Sequence, residues 1–309
     1  MLFARNQILL AKVEADAGVD AAPVAADAVR CAEINPEVDG INLERLDIST
    51  LSALQEKLIN KKIRMSITVH LKGSGAAGTA PEWGPLARAC GLKQTLTPAT
   101  RAEYKPTNTA SEMESVTLYL YKDGLLWKVV GAMGNMRVNY ESGNYVNATF
   151  DMEGKYESVE DTAMVASPVY DDLDPIQVQE AGLTFGDWDD AVAPSFSFNT
   201  GATITDRLDI NSEEGIHSKI ITARDPRWEA SIEAVLETEN SFWADFLALD
   251  TAALAVAHGA ETGNIIEFAA PKASFSAPRT SNNNSILMYD LGGQLLENTG
   301  ADNFTITVK

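Results

Sequence analysis

Two stretches of this chain repeat each other, in the same order, in its two halves. Arg45-Leu46-Asp47-Ile48 returns as Arg207-Leu208-Asp209-Ile210, and Gly124 to Gly154 can be laid on Gly263 to Gly293 without a gap. The second register sets Phe150-Asp151 on Tyr289-Asp290 and Ser142-Gly143 on Ser281-Asn282. Preserved order points to a duplicated domain rather than a short motif met twice. A chain of 309 residues is long enough for two domains, each with its own core. The expected division is 1–158 and 159–309, with a junction near 155–170 that holds Ser167-Pro168. The offset between halves falls from 162 at the first repeat to 139 at the second, so the first half carries 23 more residues in between.

Local patterns read as short strands. Val116-Thr117-Leu118-Tyr119-Leu120-Tyr121 is β-branched and aromatic, Asp123-Gly124 is a hairpin turn, and Leu125 to Val130 returns. Met136–Tyr140 and Tyr145–Phe150 predict a second hairpin. The second half answers with Ile265–Phe268, Ala273–Ser276, a turn at Asn282-Asn283-Asn284 and Ile286–Tyr289, and Phe304–Val308 predicts a last strand. One short helix is expected in each half. Pro81 would occupy the first turn of one, with Trp83, Leu86, Ala87 and Cys90 on its inner face; Phe242, Phe246 and Leu249 form the matching stripe of the other.

Charge divides the halves. Residues 1–155 hold 17 Lys+Arg against 18 Asp+Glu, and residues 156–309 hold 7 against 26, within a net charge of −20. Tight nucleic-acid binding, which needs clustered cations on phosphates, is disfavoured. An acidic surface that simply keeps the chain soluble is the plain reading. No apolar run is long enough for a membrane span, and the first residues do not read as a secretion signal. Two cysteines, Cys31 and Cys90, give no disulfide framework.

Chemistry-bearing patterns are weak. Gly73-Ser74-Gly75-Ala76-Ala77-Gly78 has dinucleotide-loop spacing, but Thr79-Ala80-Pro81 follows where a helix should begin, so a flexible loop is expected. His70, His217 and His258 lack ligand spacing, which argues against a zinc site. Asp171-Asp172 with Asp174, and Asp187-Trp188-Asp189-Asp190, lack the alternating ligands of a calcium loop. No Gly-x-Ser-x-Gly elbow occurs. No cofactor, metal or catalytic residue is expected, and the chain reads as an architectural subunit rather than an enzyme.

Several patches resemble a known family. Leu10-Ala11-Lys12-Val13-Glu14-Ala15-Asp16-Ala17-Gly18-Val19-Asp20 with Pro23 is similar to the opening of tail tube proteins of long non-contractile-tailed bacteriophages. So are Leu71-Lys72-Gly73-Ser74-Gly75 running into Pro81-Glu82-Trp83-Gly84-Pro85-Leu86 and Ala89-Cys90-Gly91, and Tyr121 to Trp127 with Gly131, Phe150 and Gly154. The second half lacks the Gly-Ser-Gly loop and joins the resemblance through the internal repeat. The resemblance implies a mainly β fold: two tandem tube domains, each a sandwich or barrel of two antiparallel sheets with one short flanking helix. It further implies stacked rings forming a conduit for DNA ejection. Two domains per chain suggest trimeric rings with pseudo-six-fold symmetry.

The partners so implied are further copies, a tape-measure protein inside the tube, tail terminator and distal tail proteins at its ends, and genomic DNA in transit without specific binding. The location so implied is the virion, after synthesis in the host cytoplasm. An acidic lumen lining is expected from Glu141, Asp151, Glu153, Glu267 and Asp290, and ring stacking from the loops Asp16–Asp39 and Asp174–Thr200, with Asp187, Trp188, Asp189 and Asp190 foremost. The competing reading is a tandem β-sandwich adhesin or carbohydrate-binding module.

Overall fold

The computed structural model describes residues 2–43, 55–212 and 214–309. Arg45-Leu46-Asp47-Ile48 lies outside the described residues. The first half runs β1 (Gln7–Val13), β2 (Ala28–Val29), β3 (Glu33–Leu43), β4 (Lys57–His70), α1 (Gly84–Ala89), β5 (Leu92–Thr97), β6 (Arg101–Pro106), β7 (Val116–Lys122), β8 (Leu125–Glu141) and β9 (Asn147–Asp161). The second runs β10 (Gly182–Phe185), β11 (Ser195–Asn199), β12 (Ala202–Leu208), β13 (Ile216–Arg224), β14 (Arg227–Glu233), α2 (Phe242–Ala248), β15 (Thr251–His258), β16 (Ile266–Ser274), β17 (Arg279–Asn283), β18 (Ile286–Gln294) and β19 (Thr305–Val308). The fold is mainly β and antiparallel, as expected.

Turn chemistry explains the hairpins. Asp123 and Gly124 both adopt positive φ, 48° and 102°, the backbone that reverses a strand pair in two residues without splaying it. Asn284 and Ser285 do the same between β17 and β18, at 50° and 72°. The expected segments Ile265–Phe268 and Ala273–Ser276 belong largely to a single strand, β16.

Eight strands follow one another edge to edge in the order β3, β4, β9, β8, β11, β14, β18, β17. The step from β8 to β11 crosses from the first half to the second, in a register running from Ser195 opposite Glu141 to Asn199 opposite Arg137. A second sheet, β10-β15-β16-β19-β6-β5, crosses between halves where β19 pairs with β6. The β5–β6 hairpin lies where the first half carries its extra residues. A division at 158/159 falls within the last residues of β9.

The same local geometry occurs in each half of the eight-strand path. Ser66 Oγ donates to Asp151 Oδ1 at 2.8 Å between β4 and β9, and Ser231 Oγ donates to Asp290 Oδ1 at 3.0 Å between β14 and β18. Asp151 and Asp290 are the residues that the sequence register superimposes. By this correspondence β3, β4, β9 and the end of β8 match β11, β14, β18 and β17.

The core lies between the two sheets. Phe198 from β11 stacks on Phe268 from β16 with ring centroids 4.1 Å apart, and Phe196 and Phe304 flank the pair. Trp83 packs on Tyr104, and Phe185, Trp228, Phe242 and Phe275 form a second aromatic group. Each large ring removes its surface from water and contributes roughly 2–3 kcal/mol.

Both helix expectations need adjustment. Trp83, Leu86, Ala87 and Cys90 are buried, but Trp83 is the N-cap, so Pro85 rather than Pro81 occupies the first turn. Phe242 is buried, whereas Leu249 takes a left-handed conformation at the C-cap, φ 57°, and is 81% exposed. Leaving the helical backbone takes it off the stripe.

The Gly73–Gly78 segment is a packed joint between the halves rather than a flexible loop. Gly73 N donates to Asn264 Oδ1 at 2.8 Å, and Gly75 N donates to Gly263 O at 3.1 Å. A Cβ on Gly73 would stand 1.9 Å from Gly263 O, so the backbones touch only because no side chain intervenes. Gly73→Ala is therefore expected to cost about 2–3 kcal/mol in denaturant unfolding. Gly182→Ala, with nothing within 4 Å of the added carbon, should stay within about 0.5 kcal/mol of the parent.

Candidate assembly surface

The alternation of the eight-strand path gives it two unlike faces. Ile63, Met65 and Ile67 on β4, Phe150 and Met152 on β9, Met136 and Val138 on β8, and Trp228 and Ala230 on β14 point into the core. The opposite face is polar: Ser66 and Thr68, Thr149 and Asp151, Asn135 and Asn139, Ser195 and Ser197, Glu229 and Ser231. Serine, threonine and asparagine alternate along it with charges of both signs, among them Arg64, Arg137, Arg227 and Arg279 and the acids Glu37, Asp39, Glu141, Glu153 and Glu229.

Four of the five expected acidic residues share this face. Glu141 ends β8, Asp151 and Glu153 lie on β9, and Asp290 lies on β18. Glu267 does not join them: it sits on β16 in the second sheet, paired with Lys309 at 2.7 Å. Alternation within one strand carries no information about which sheet the strand joins, hence the misgrouping. Most acids of the second half also lie off this face, on loops and on the second sheet.

Glu153 is held in an ion-pair cluster. It meets Lys219 Nζ at 2.6 Å, Arg64 Nε at 2.8 Å and Lys62 Nζ at 3.2 Å, and Lys219 is also paired with Asp206. Burial pushes the Glu153 carboxyl up, but hydrogen bonds from Lys219, Arg64 and Lys62 outweigh it and hold the pKa at about 2. Lys219 lies on β13, so the cluster ties the β12–β13 arm of the second half to the first. Arg224 on the same strand donates to the carbonyl of Thr107, and Ile221 packs at Gly91, directly after α1.

Two buried charges support this surface, and neither was evident from sequence. β8 changes register between Val130 and Met133, freeing backbone donors. Glu14, only 7% exposed, accepts from Gly131 N at 2.6 Å, Gly18 N at 2.7 Å, Ser115 Oγ at 2.6 Å and Thr117 Oγ1 at 2.8 Å. Lys72, buried beside Glu82 at 3.5 Å, donates to the carbonyls of Asp171 and Leu173 and so pins the chain between the halves. Burial pushes the Glu82 carboxyl up and Lys72 pulls it down, with the net shift upward.

The expected stacking residues divide. Asp187, Asp189 and Asp190 are exposed, but Trp188 turns inward against Phe185 and Phe242, with centroids 6.0 and 5.5 Å away. The ends of the two expected stacking loops are strands, β3 and β11. Among the described residues no cluster of His, Cys, Asp and Glu has metal-binding geometry, and no helix is long and apolar enough to cross a membrane.

Acid should weaken this structure in two windows. His258 is buried edge-on to Tyr140, 5.1 Å between centroids, and burial lowers its pKa from 6.5 to about 4. Between those values the unfolded chain binds the proton and the folded chain does not, so stability falls as pH drops. Glu153 contributes fully above 4.5, and its contribution is lost as pH falls toward about 2. Thermal melts across pH should show a flatter upper window in His258→Phe and a flatter lower window in Glu153→Gln. Glu14→Ala, which leaves buried donors unpaired, should cost about 3 kcal/mol at neutral pH.

The phage tail tube protein family model matches residues 5–295, and the chain belongs to that family. A search of individually curated proteins finds no match. The chain is thus a structural component of a phage tail, self-assembling into the tube.

Proposed function

We propose that this member of the phage tail tube protein family closes into rings of three chains, each chain supplying two duplicated tube domains. The rings stack into the tube of a long non-contractile tail, and DNA leaves the virion through it. One observation carries this reading: the halves are already joined edge to edge in one continuous sheet, with β3 and β17 left at its ends. Open edges expose unpaired backbone groups, and ring closure is a way to remove them.

The dimensions agree. Three copies supply three times eight strands. At ~4.8 Å between strands and a tilt of about 40°, the backbone circle is roughly 48 Å across. Subtracting side chains leaves a channel of roughly 35–40 Å, wide enough for a DNA duplex. Eight strands alone would give a barrel filled by its own side chains.

In this reading the polar face lines the lumen, with Glu141, Asp151, Glu153 and Asp290 on the wall and Glu267 outside it. The wall holds DNA weakly, less through bulk negative charge than because several of its cations are already engaged, although Arg137 on β8 and Arg279 on β17 share the face without an ion pair among the described residues. Lys62 and Arg64 are engaged by Glu153, and Arg227 by Asp225 at 2.7 Å, so a passing phosphate must compete with a carboxylate already in place. The hydroxyl and amide groups between the charges offer only weak contacts. A tape-measure protein occupies the lumen before DNA does, and tail terminator and distal tail proteins cap its ends. The exposed carboxylates of Asp187, Asp189 and Asp190 face the neighbouring ring.

Negative-stain electron microscopy of the purified protein across a salt series should show rings or hollow tubes, favoured by salt that screens the acidic half. A chain that stays monomeric even with tail-tip components and a tape-measure protein would contradict the proposal.

A further inference from the structure

The joint between the halves shows how one tube domain receives the next. At that joint β11 pairs with the end of β8, and the β12–β13 arm reaches back over the first half. The arm is anchored by Lys219 on Glu153, by Arg224 on the Thr107 carbonyl and by Ile221 at the end of α1. The corresponding pieces at the outer ends of the chain have no such company. Among the described residues β3 pairs only with β4, and β17 only with β18. The arm formed by the far parts of β3 and β4 exposes Ile41 at 54%, Leu43 at 54% and Leu58 at 43%. Leu247 and Leu249, at the end of α2, are 78% and 81% exposed, whereas the matching end of α1 is covered by Ile221.

We infer that the contact between copies repeats the contact between halves, strand for strand: β17 of one copy pairs antiparallel with β3 of a second copy, and the first-half arm of that second copy lies across the end of α2. The inference rests on the ring reading and specifies its interface. The register follows from the internal joint. Asn147 and Ile286 correspond, and they pair with Asn139 and Asn283, so Arg137 corresponds to Ser281. Ser66 and Ser231 correspond, and they pair with Asn35 and Ser195, so Asn199 corresponds to Asp39. Since Asn199 stands opposite Arg137, Asp39 of one copy stands opposite Ser281 of the next. Val38 then faces Asn282, which would cover a side chain now 42% exposed at the sheet edge, as Phe198 is covered at the internal joint.

A single chain carries both complementary edges, so the contact is head-to-tail and closes only as a ring. The arm's apolar side chains meet the apolar end of α2, giving the joint a hydrophobic clasp besides its backbone hydrogen bonds. A mismatch in register by one residue would turn the polar face of β3 toward the core side, so the pairing is strongly specified.

The test is a cysteine pair, Asp39→Cys with Ser281→Cys, oxidised in assembled protein and mapped by peptide mass spectrometry. Directly opposed strand residues place their Cβ atoms ~5 Å apart, near disulfide range. The expected result is an intermolecular 39–281 bond and a ladder of covalent oligomers ending at a closed species. Glu37→Cys with Ser281→Cys, displaced by two residues, should cross-link at least tenfold less. Tubes visible by microscopy in which the 39–281 pair stays reduced, or the displaced pair forms instead, overturn the inferred joint and leave the tube reading standing. Chains that never assemble, with tail-tip components present, overturn both. The arm is tested separately by Ile41→Asp and Leu249→Asp. Both sites are exposed, so melting temperatures should stay within about 2 °C of the parent, while the assembled fraction falls at least tenfold. Unchanged assembly in both variants overturns the clasp.

Discussion

Backbone hydrogen bonding across the β8–β11 edge is the interaction on which the rest of the molecule depends. It turns what would be two separate sheets into one, and it fixes where every polar side chain on that sheet points. Each bond contributes only ~1 kcal/mol net, but none forms alone. The pairing at β19 and β6, the glycine contact at Gly73 and Gly263 and the Lys219–Glu153 pair all span the same two halves. Together they make the halves one sheet system rather than beads on a linker. The buried carboxylate of Glu14 serves that system indirectly, by satisfying the donors freed where β8 bends.

The continuous sheet also gives the electrostatics a different meaning from the one that net charge suggests. A chain at −20 invites the picture of a uniformly negative wall. On the polar face the charges are instead of both signs, some of them paired, as Lys62 and Arg64 are with Glu153, and others, such as Arg137 and Arg279, outside any ion pair among the described residues, with neutral hydroxyl and amide side chains between them. The acidic excess sits largely elsewhere, and in the proposed tube it would make assembly sensitive to ionic strength. For the proposed conduit, through which a polyanion would pass, low adhesion matters more than strong repulsion, and the engaged cations of the β4–β9 cluster would contribute to it.

Much of the fold was legible in the sequence, because its signals are local. Asp123-Gly124 and Asn282-Asn283-Asn284 announce their turns, and the shift in repeat offset marks the place of the β5–β6 hairpin. What could not be read depends on partners far along the chain. Gly73 looked like loop punctuation because its hydrogen-bond partner, the Asn264 side chain, lies 191 residues away, beside the Gly263 backbone that Gly73 touches. Glu14 sat in a stretch with no pattern to single it out, and its donors come from three separate segments. Glu267 was grouped with Asp151 because alternation fixes a face but not a sheet. Trp188 looked like part of an exposed acidic loop because its aromatic partners lie on α2 and β10.

The central claim is that the eight-strand path of each chain continues into the next and that its polar face lines the channel. A reconstruction of the assembled tube by electron cryomicroscopy, at a resolution that separates strands, tests this most directly. The account predicts an inner wall of unbroken antiparallel strands, eight from each chain, with Asp151 and Asp290 at the lumen and Glu267 outside it. An inner wall built from the second sheet, or an eight-strand path that ends free at β3 and β17, would contradict it.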